Sequence, residues 1–174
     1  MLRLIPADSA TVPSGIEELY TDAFPPEERR PWSDILRLAD TDPRFNLYII
    51  YIDLIPVGLI TVWNLSQARY VEHFAIHPSH RGAGTGLEVI RAVINMPGAP
   101  LVLEVEPAQT GELARRRIAF YTRAGLTAHH SFAYIQPSYG PGLPEVPLTL
   151  MTSAPLPLDS VTTLLHSEIY GKNS

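Results

Sequence analysis

In the stretch "AIHPSHRGAGTG", Arg81 is followed by glycines at alternate positions, Gly82, Gly84 and Gly86. The β-rich run "ARYVEHFAI" precedes it, and "LEVIRAVINM", with helical spacing, comes after it. The glycines therefore fall at a strand-to-helix turn. A helix start leaves backbone N–H groups unpaired and carries a partial positive charge. Glycine lets those groups come close to a phosphate, and Arg81 adds a forked, permanent cation. The plain alternative is a turn that only reverses the chain. Two nucleotide motifs can be checked against it. The lysine-bearing phosphate loop needs Gly-Lys-Ser/Thr, but Leu87 stands after Gly86. The dinucleotide fingerprint needs a glycine where Leu87 stands, although Glu104 is well spaced for a ribose-binding acid. With one βαβ unit visible, a nicotinamide-dependent enzyme is the lesser alternative.

Carboxylates form the second group. Glu72 lies in "RYVEHFAI", and Glu104 and Glu106 lie in "PLVLEVE". Strand alternation predicts Tyr70, Glu72, Phe74 and Ile76 on one face, and Glu104 with Glu106 on one face of the next strand. A buried charge is costly unless it is paired or wet. These residues therefore imply either a water-filled groove or partners among Arg115, Arg116 and Arg117. Three successive arginines on a helix point in three directions, so most of that run is solvated, with one member able to reach Glu104 or a phosphate. His73 and His77 are too far apart along a strand, about 13 Å, to share a metal ion. No metal site is expected. His77 and His80 read as loop residues, and His129 and His130 as edge residues of a later strand.

The elements that must position these groups can be read from pattern and punctuation. "LRLIPA" is a short strand. "SGIEELYTDAF" is a helix with Ser14 as its cap, and "WSDILRLAD" is a second helix starting near Pro31 or Ser33. Two β-rich runs flank "DLIP" as a hairpin. "TGLEVIRAVINM" is a crossover helix, which makes the strands on either side of it parallel. "TGELARRRIAFYTRAG" is a helix that Gly125 ends in the left-handed conformation. "LTAHHSFAYIQ" and "PEVPLTLMTS" are closing strands, and "DSVTTLLHSEIYG" is a terminal helix capped by Asp159 or Ser160. The whole is a mixed α/β fold with a mostly antiparallel sheet of about six to seven strands and helices on both faces.

The chain of 174 residues, 45% hydrophobic, is expected to form one domain over residues 1–174. It has no cysteine, which excludes disulfides and thiolate metal sites. Its start carries no signal-peptide pattern, and Asp53, Pro56 and Gly58 interrupt its most apolar stretch. A cytoplasmic protein with no membrane contact is the expectation. A net charge of −5 argues against a nucleic-acid partner and suits a small or cationic one. Six prolines between Pro137 and Pro157 predict strand and loop there.

Two blocks resemble the GNAT superfamily of acyl-CoA-dependent N-acetyltransferases. Arg81, Gly84 and Gly86 match its Arg/Gln-x-x-Gly-x-Gly/Ala signature. "RRRIAFYTRAGL" is similar to its late helix, with Phe120, Tyr121 and Gly125 matching and Leu126 in place of a phenylalanine. The order of elements agrees over most of the chain. The resemblance implies acetyl-CoA as co-substrate. Its pyrophosphate would sit on Arg81, Gly82, Ala83, Gly84, Thr85 and Gly86, and its pantetheine arm along the backbone of Phe74, Ala75 and Ile76. It implies Tyr121 as the acid that protonates the leaving thiolate; by their strand positions Glu72 or Glu104 is the candidate base, directly or through water, and an amine of low pKa would need none. The acceptor would be a primary amine of a small molecule or peptide, and a cationic one is expected from the carboxylates, with Glu27 and Glu28 bordering the groove. Arg29 and Arg30 instead leave an acidic group on the substrate open. A homodimer is compatible with these features. The other class is a coenzyme-A-binding regulatory module without chemistry.

Overall fold

The computed structural model describes residues 1–172. Among them, the main elements run in the order β1 (Leu2–Ala7), α1 (Ile16–Ala23), α2 (Trp32–Thr41), β2 (Phe45–Ile52), β3 (Ile55–Asn64), β4 (Arg69–Ile76), α3 (Thr85–Asn95), β5 (Leu101–Val105), α4 (Glu112–Ala124), β6 (Thr127–Ala128), β7 (Tyr134–Gln136), β8 (Val146–Thr152) and α5 (Leu158–Leu164). The sheet order is β1-β2-β3-β4-β5-β8-β6, with β7 also paired to β8. Among the described strands only β4 and β5 pair in parallel, as the α3 crossover requires. The sheet has eight strands because the run from Thr127 to Gln136 breaks into β6 and β7. Phe132 N–H donates to the His129 carbonyl at 3.1 Å, which closes a turn between them. His129 and His130 thus come after a strand rather than sit in one, and His129 Nε2 lies 2.7 Å from the Thr152 hydroxyl.

Both sheet faces are covered. On one, Ile16, Leu19 and Tyr20 of α1, Ile35 and Leu38 of α2, and Val161 of α5 pack against Leu47, Leu59, Tyr70 and Val102. On the other, Val89, Ile90 and Val93 of α3 and Ile118 of α4 pack against Ile60, Val71, Leu103 and Met151. Strands apolar on both sides result from this double cover.

Two helix starts differ from expectation. Gly15, with φ of 85°, occupies the cap of α1 in place of Ser14. Pro157 precedes α5, so Asp159 lies in its first turn and caps nothing, and the chain continues past Leu164 as a π-helical turn, Leu165–Ile169. Gly125 ends α4 at φ 115° as expected.

Candidate active site

Two irregularities in β4 create the site. The first is a bulge. His73 pairs with Thr61 and Val71 with Val62, so Glu72 is an extra residue with no partner on β3. The Thr61 hydroxyl accepts from the displaced His73 N–H at 3.0 Å, which satisfies the group that the bulge strands. The extra residue shifts the alternation. Tyr70, Glu72, His73 and Ala75 face the first core or its polar rim, whereas Phe74 and Ile76 join Val71 in the second. The expected common face for Tyr70, Glu72, Phe74 and Ile76 is therefore corrected: the strand changes parity at Glu72.

The second irregularity is a split. β4 pairs with β5 only from Arg69 to Val71, opposite Leu101 to Leu103. Both strands continue, to Ile76 and Val105, without pairing to each other. A cavity of about 790 Å³ opens along this split. Phe74, Ala75, Ile76, Leu103, Glu104 and Val105 line its walls.

The glycine turn closes one end. Gly82 and Gly84 have φ of 86° and 83°, where only glycine sits without strain. A Cβ at either would point into open space, with nothing within 4 Å. The turn is thus an open cradle at the start of α3. Arg81 Nε donates to the Ile76 carbonyl at 2.8 Å, which ties the cradle to the end of β4, and Arg81, Gly82, Gly84, Gly86 and Leu87 border the cavity. Gly86 has a different task. A Cβ there would lie 3.2 Å from the Phe120 ring, so its bareness lets α4 approach α3. Ala83 is exposed and Thr85 buried.

The carboxylates differ sharply. Glu72 borders the cavity, but its side chain has no exposed surface. It accepts from Arg30 Nε at 2.7 Å, Trp63 Nε1 at 2.7 Å and the Tyr139 hydroxyl at 3.0 Å. Burial opposes its charge, but Arg30 and these donors hold its pKa below the usual value. Glu104 pairs with no cation among the described residues. The Tyr70 hydroxyl lies 2.9 Å from Oε2, Tyr170 lies 2.9 Å from the same oxygen, and Tyr134 donates to Oε1. Burial outweighs the phenol donors and raises its pKa to about 7. Glu106 lies just past β5 and pairs with Arg117 at 3.2 Å. Arg115 and Arg116 both pair with Glu112, so no member of the arginine run reaches Glu104 or Glu72.

Tyr121 stands on α4 against Phe120 and borders the cavity. Its hydroxyl has no hydrogen-bond partner among the described residues, and burial raises its pKa to about 12. Arg29 and Arg30 are committed elsewhere. Arg29 caps the end of α1 on the carbonyls of Thr21 and Phe24, while Arg30 serves Glu72 and the Ile169 carbonyl. Asp22 and Glu28 also border the cavity, and neither pairs with a cation among the described residues. Burial and the nearby Glu106 raise the pKa of Glu28. His73 is buried with its Nδ1 unpartnered among the described residues, and His77 bonds Ser79 within its own turn.

Sequence reasoning missed Tyr134, Tyr139 and Tyr170 altogether, and saw Arg30 only as a substrate contact. The available signal was chemical: a carboxylate in an interior strand needs donors, and the chain has eight tyrosines.

Comparisons with known proteins place this fold in a family. The model of the Acetyltransferase (GNAT) family matches residues 14–126. A protein from Bacteroides thetaiotaomicron assigned to GNAT acetyltransferases superposes with a TM-score of 0.91 at 34% identity, over 98% of this chain and 99% of that one. This chain therefore belongs to the GNAT acetyltransferase family. Two more distant structures share the fold. An Elizabethkingia anophelis GNAT acetyltransferase with acetyl-CoA bound has a TM-score of 0.59 at 14% identity, over 87% of this chain and 96% of that one. Arabidopsis thaliana Naa50, in complex with the bisubstrate analogue CoA-Ac-MVNAL, has 0.62 at 15% identity, over 88% and 97%. No curated protein matched.

Proposed function

We propose that the chain is a single-domain N-acetyltransferase that moves an acetyl group from acetyl-CoA to a primary amine. One observation carries this: a single cavity joins an open glycine cradle at a helix start to a carboxylate whose pKa lies near neutrality. The cradle suits a pyrophosphate. The free edge of β4 at Phe74, Ala75 and Ile76 suits an extended amide-bearing arm. The Elizabethkingia relative, which carries acetyl-CoA, favours the same donor here.

Acetyl-CoA supplies the thioester. Glu104 takes the proton that makes the ammonium nucleophilic, a role for which a pKa near the working pH is suited. Glu72 is the poorer base, because its charge is held by Arg30. The amine nitrogen bonds the carbonyl carbon and the carbon–sulfur bond breaks. Tyr121, with a free hydroxyl, hands its proton to the sulfur. The second proton lost by nitrogen as the amide forms restores the balance.

Tyr121→Phe keeps the ring and removes the donor. It should lower kcat by about 10²-fold while coenzyme affinity stays within about twofold. Steady-state turnover assays with calorimetry check this, and an unchanged kcat would assign Tyr121 to packing alone.

The acceptor end is acidic. Asp22 and Glu28 stand there without a cation partner among the described residues, while Arg29 and Arg30 are engaged elsewhere. A cationic amine on a small molecule or peptide is therefore preferred, with rates that fall as salt screens the attraction. Thiol release measured over cationic, neutral and acidic amines at low and high salt tests this. Preference for acidic amines would refute it. Tight coenzyme binding with no thiol release from any amine would favour the regulatory module instead.

A further inference from the structure

We infer that the turn after α5 belongs to the catalytic apparatus, with Tyr170 as the positioning residue that governs proton occupancy on Glu104. The inference rests on Glu104 being the base. The segment lies outside residues 14–126, the part that matches the family model.

Three observations carry it. First, the backbone changes register there. α5 gives way to the π-helical turn Leu165–Ile169, closed by Tyr170 N–H on the Leu165 carbonyl at 3.3 Å. One added residue in a turn rotates the residues after it by about 100° relative to a continuous α-helix. Second, the turn is anchored on both sides. Leu165 and Ile169 are buried in the first core, and Arg30 Nη2 donates to the Ile169 carbonyl at 2.7 Å. The arginine that neutralises Glu72 thus also holds the turn that serves Glu104. Third, the turn delivers a hydroxyl. Tyr170 Oη lies 2.9 Å from Glu104 Oε2 and 3.1 Å from Tyr70 Oη, with its ring packed edge-on against Tyr139.

The geometry permits two hydrogen arrangements. With Glu104 ionised, Tyr70, Tyr134 and Tyr170 all turn their hydrogens toward it. When Glu104 gains a proton, one phenol must turn away, and Tyr170 has the Tyr70 oxygen within reach to receive its hydrogen. Either phenol of the Tyr70–Tyr170 pair can turn away and return without stranding a polar group, because each oxygen can receive the other's hydrogen, and Tyr170 is the member of the pair that the turn supplies. The other titratable groups around Glu104 are Tyr70 and Glu72 from β4, Tyr134 from β7 and Tyr139 from the loop after it. On β8, Leu150 stands opposite it.

The test uses the full chain with carboxyl-labelled glutamate, and Glu104→Gln assigns the resonance. In Tyr170→Phe the anion loses one donor, so the Glu104 titration midpoint should rise by about one pH unit. The acid limb of kcat/KM should move with it. Should Tyr170→Phe fold poorly, 3,5-difluorotyrosine at position 170, introduced by semisynthesis, is a stronger donor and should shift the midpoint downward. A midpoint unmoved by both changes overturns the inference. A midpoint that moves while the rate profile stays still shows that Tyr170 controls the Glu104 proton but removes Glu104 as the base, and with it the catalytic role of the turn.

Discussion

Glu104→Gln is expected to lower kcat/KM by about 10²- to 10⁴-fold, the usual contribution of a general base. Gln fills the same volume and still accepts phenol hydrogens through its carbonyl oxygen, but it cannot take a proton. In the unaltered protein the rate should climb as pH rises through about 7, where Glu104 loses its proton. The limb locates the base. If Glu72 served instead, the limb would fall below the ordinary carboxylate range, because Arg30 depresses its pKa. Stability gives an independent check with a definite sign. The folded pKa of Glu104 is raised above its ordinary value of 4.5, so its contribution to folding is fully present below that value and is lost as pH rises through about 7. The glutamine variant should lack that loss, and its advantage in a denaturant melt should grow between those limits. A decrease of less than tenfold in kcat/KM, with the acid limb unmoved, would rule Glu104 out.

Gly84→Val should weaken coenzyme binding by more than about 100-fold, measured by calorimetry on the folded variant. Two effects act together. A β-branched residue at φ 83° is strained by about 1–2 kcal/mol, so the turn would move out of its left-handed geometry and re-aim its N–H groups. The new side chain would also project into the space left open beside the turn. The cores are not touched, since a Cβ there meets nothing within 4 Å. Gly84→Ala should be intermediate. Unchanged affinity in Gly84→Val would exclude the turn as the pyrophosphate site.

The features legible in the sequence were local. The cradle depends on Arg81 and glycines within six positions, and the structure places it at a strand-to-helix turn as its flanks require. Gly125 and the parallel β4–β5 pair obey equally short-range rules. The hidden features depend on distant partners. The bulge at Glu72 arises from pairing with β3 and from the Thr61 hydroxyl, and strict alternation cannot anticipate it. Likewise, the donors around Glu104 come from positions 70, 134 and 170, brought together only by the folded sheet and the π-helical turn. Arg30 carried a clear charge but no sign of its direction. Packing of α1 and the terminal turn, rather than composition, sends it inward to Glu72.

The two cores on opposite sides of the sheet divide ownership of the cavity. The cradle, Phe120 and Tyr121 lean on α3 and α4, while Arg30, Tyr70, Tyr134 and Tyr170 lean on α1, α2 and α5. Only the sheet itself, apolar on both sides, is common property. On the proposed function, this division separates the two substrates physically: substitutions in one layer would alter the acceptor end while the opposite layer keeps its hold on the donor.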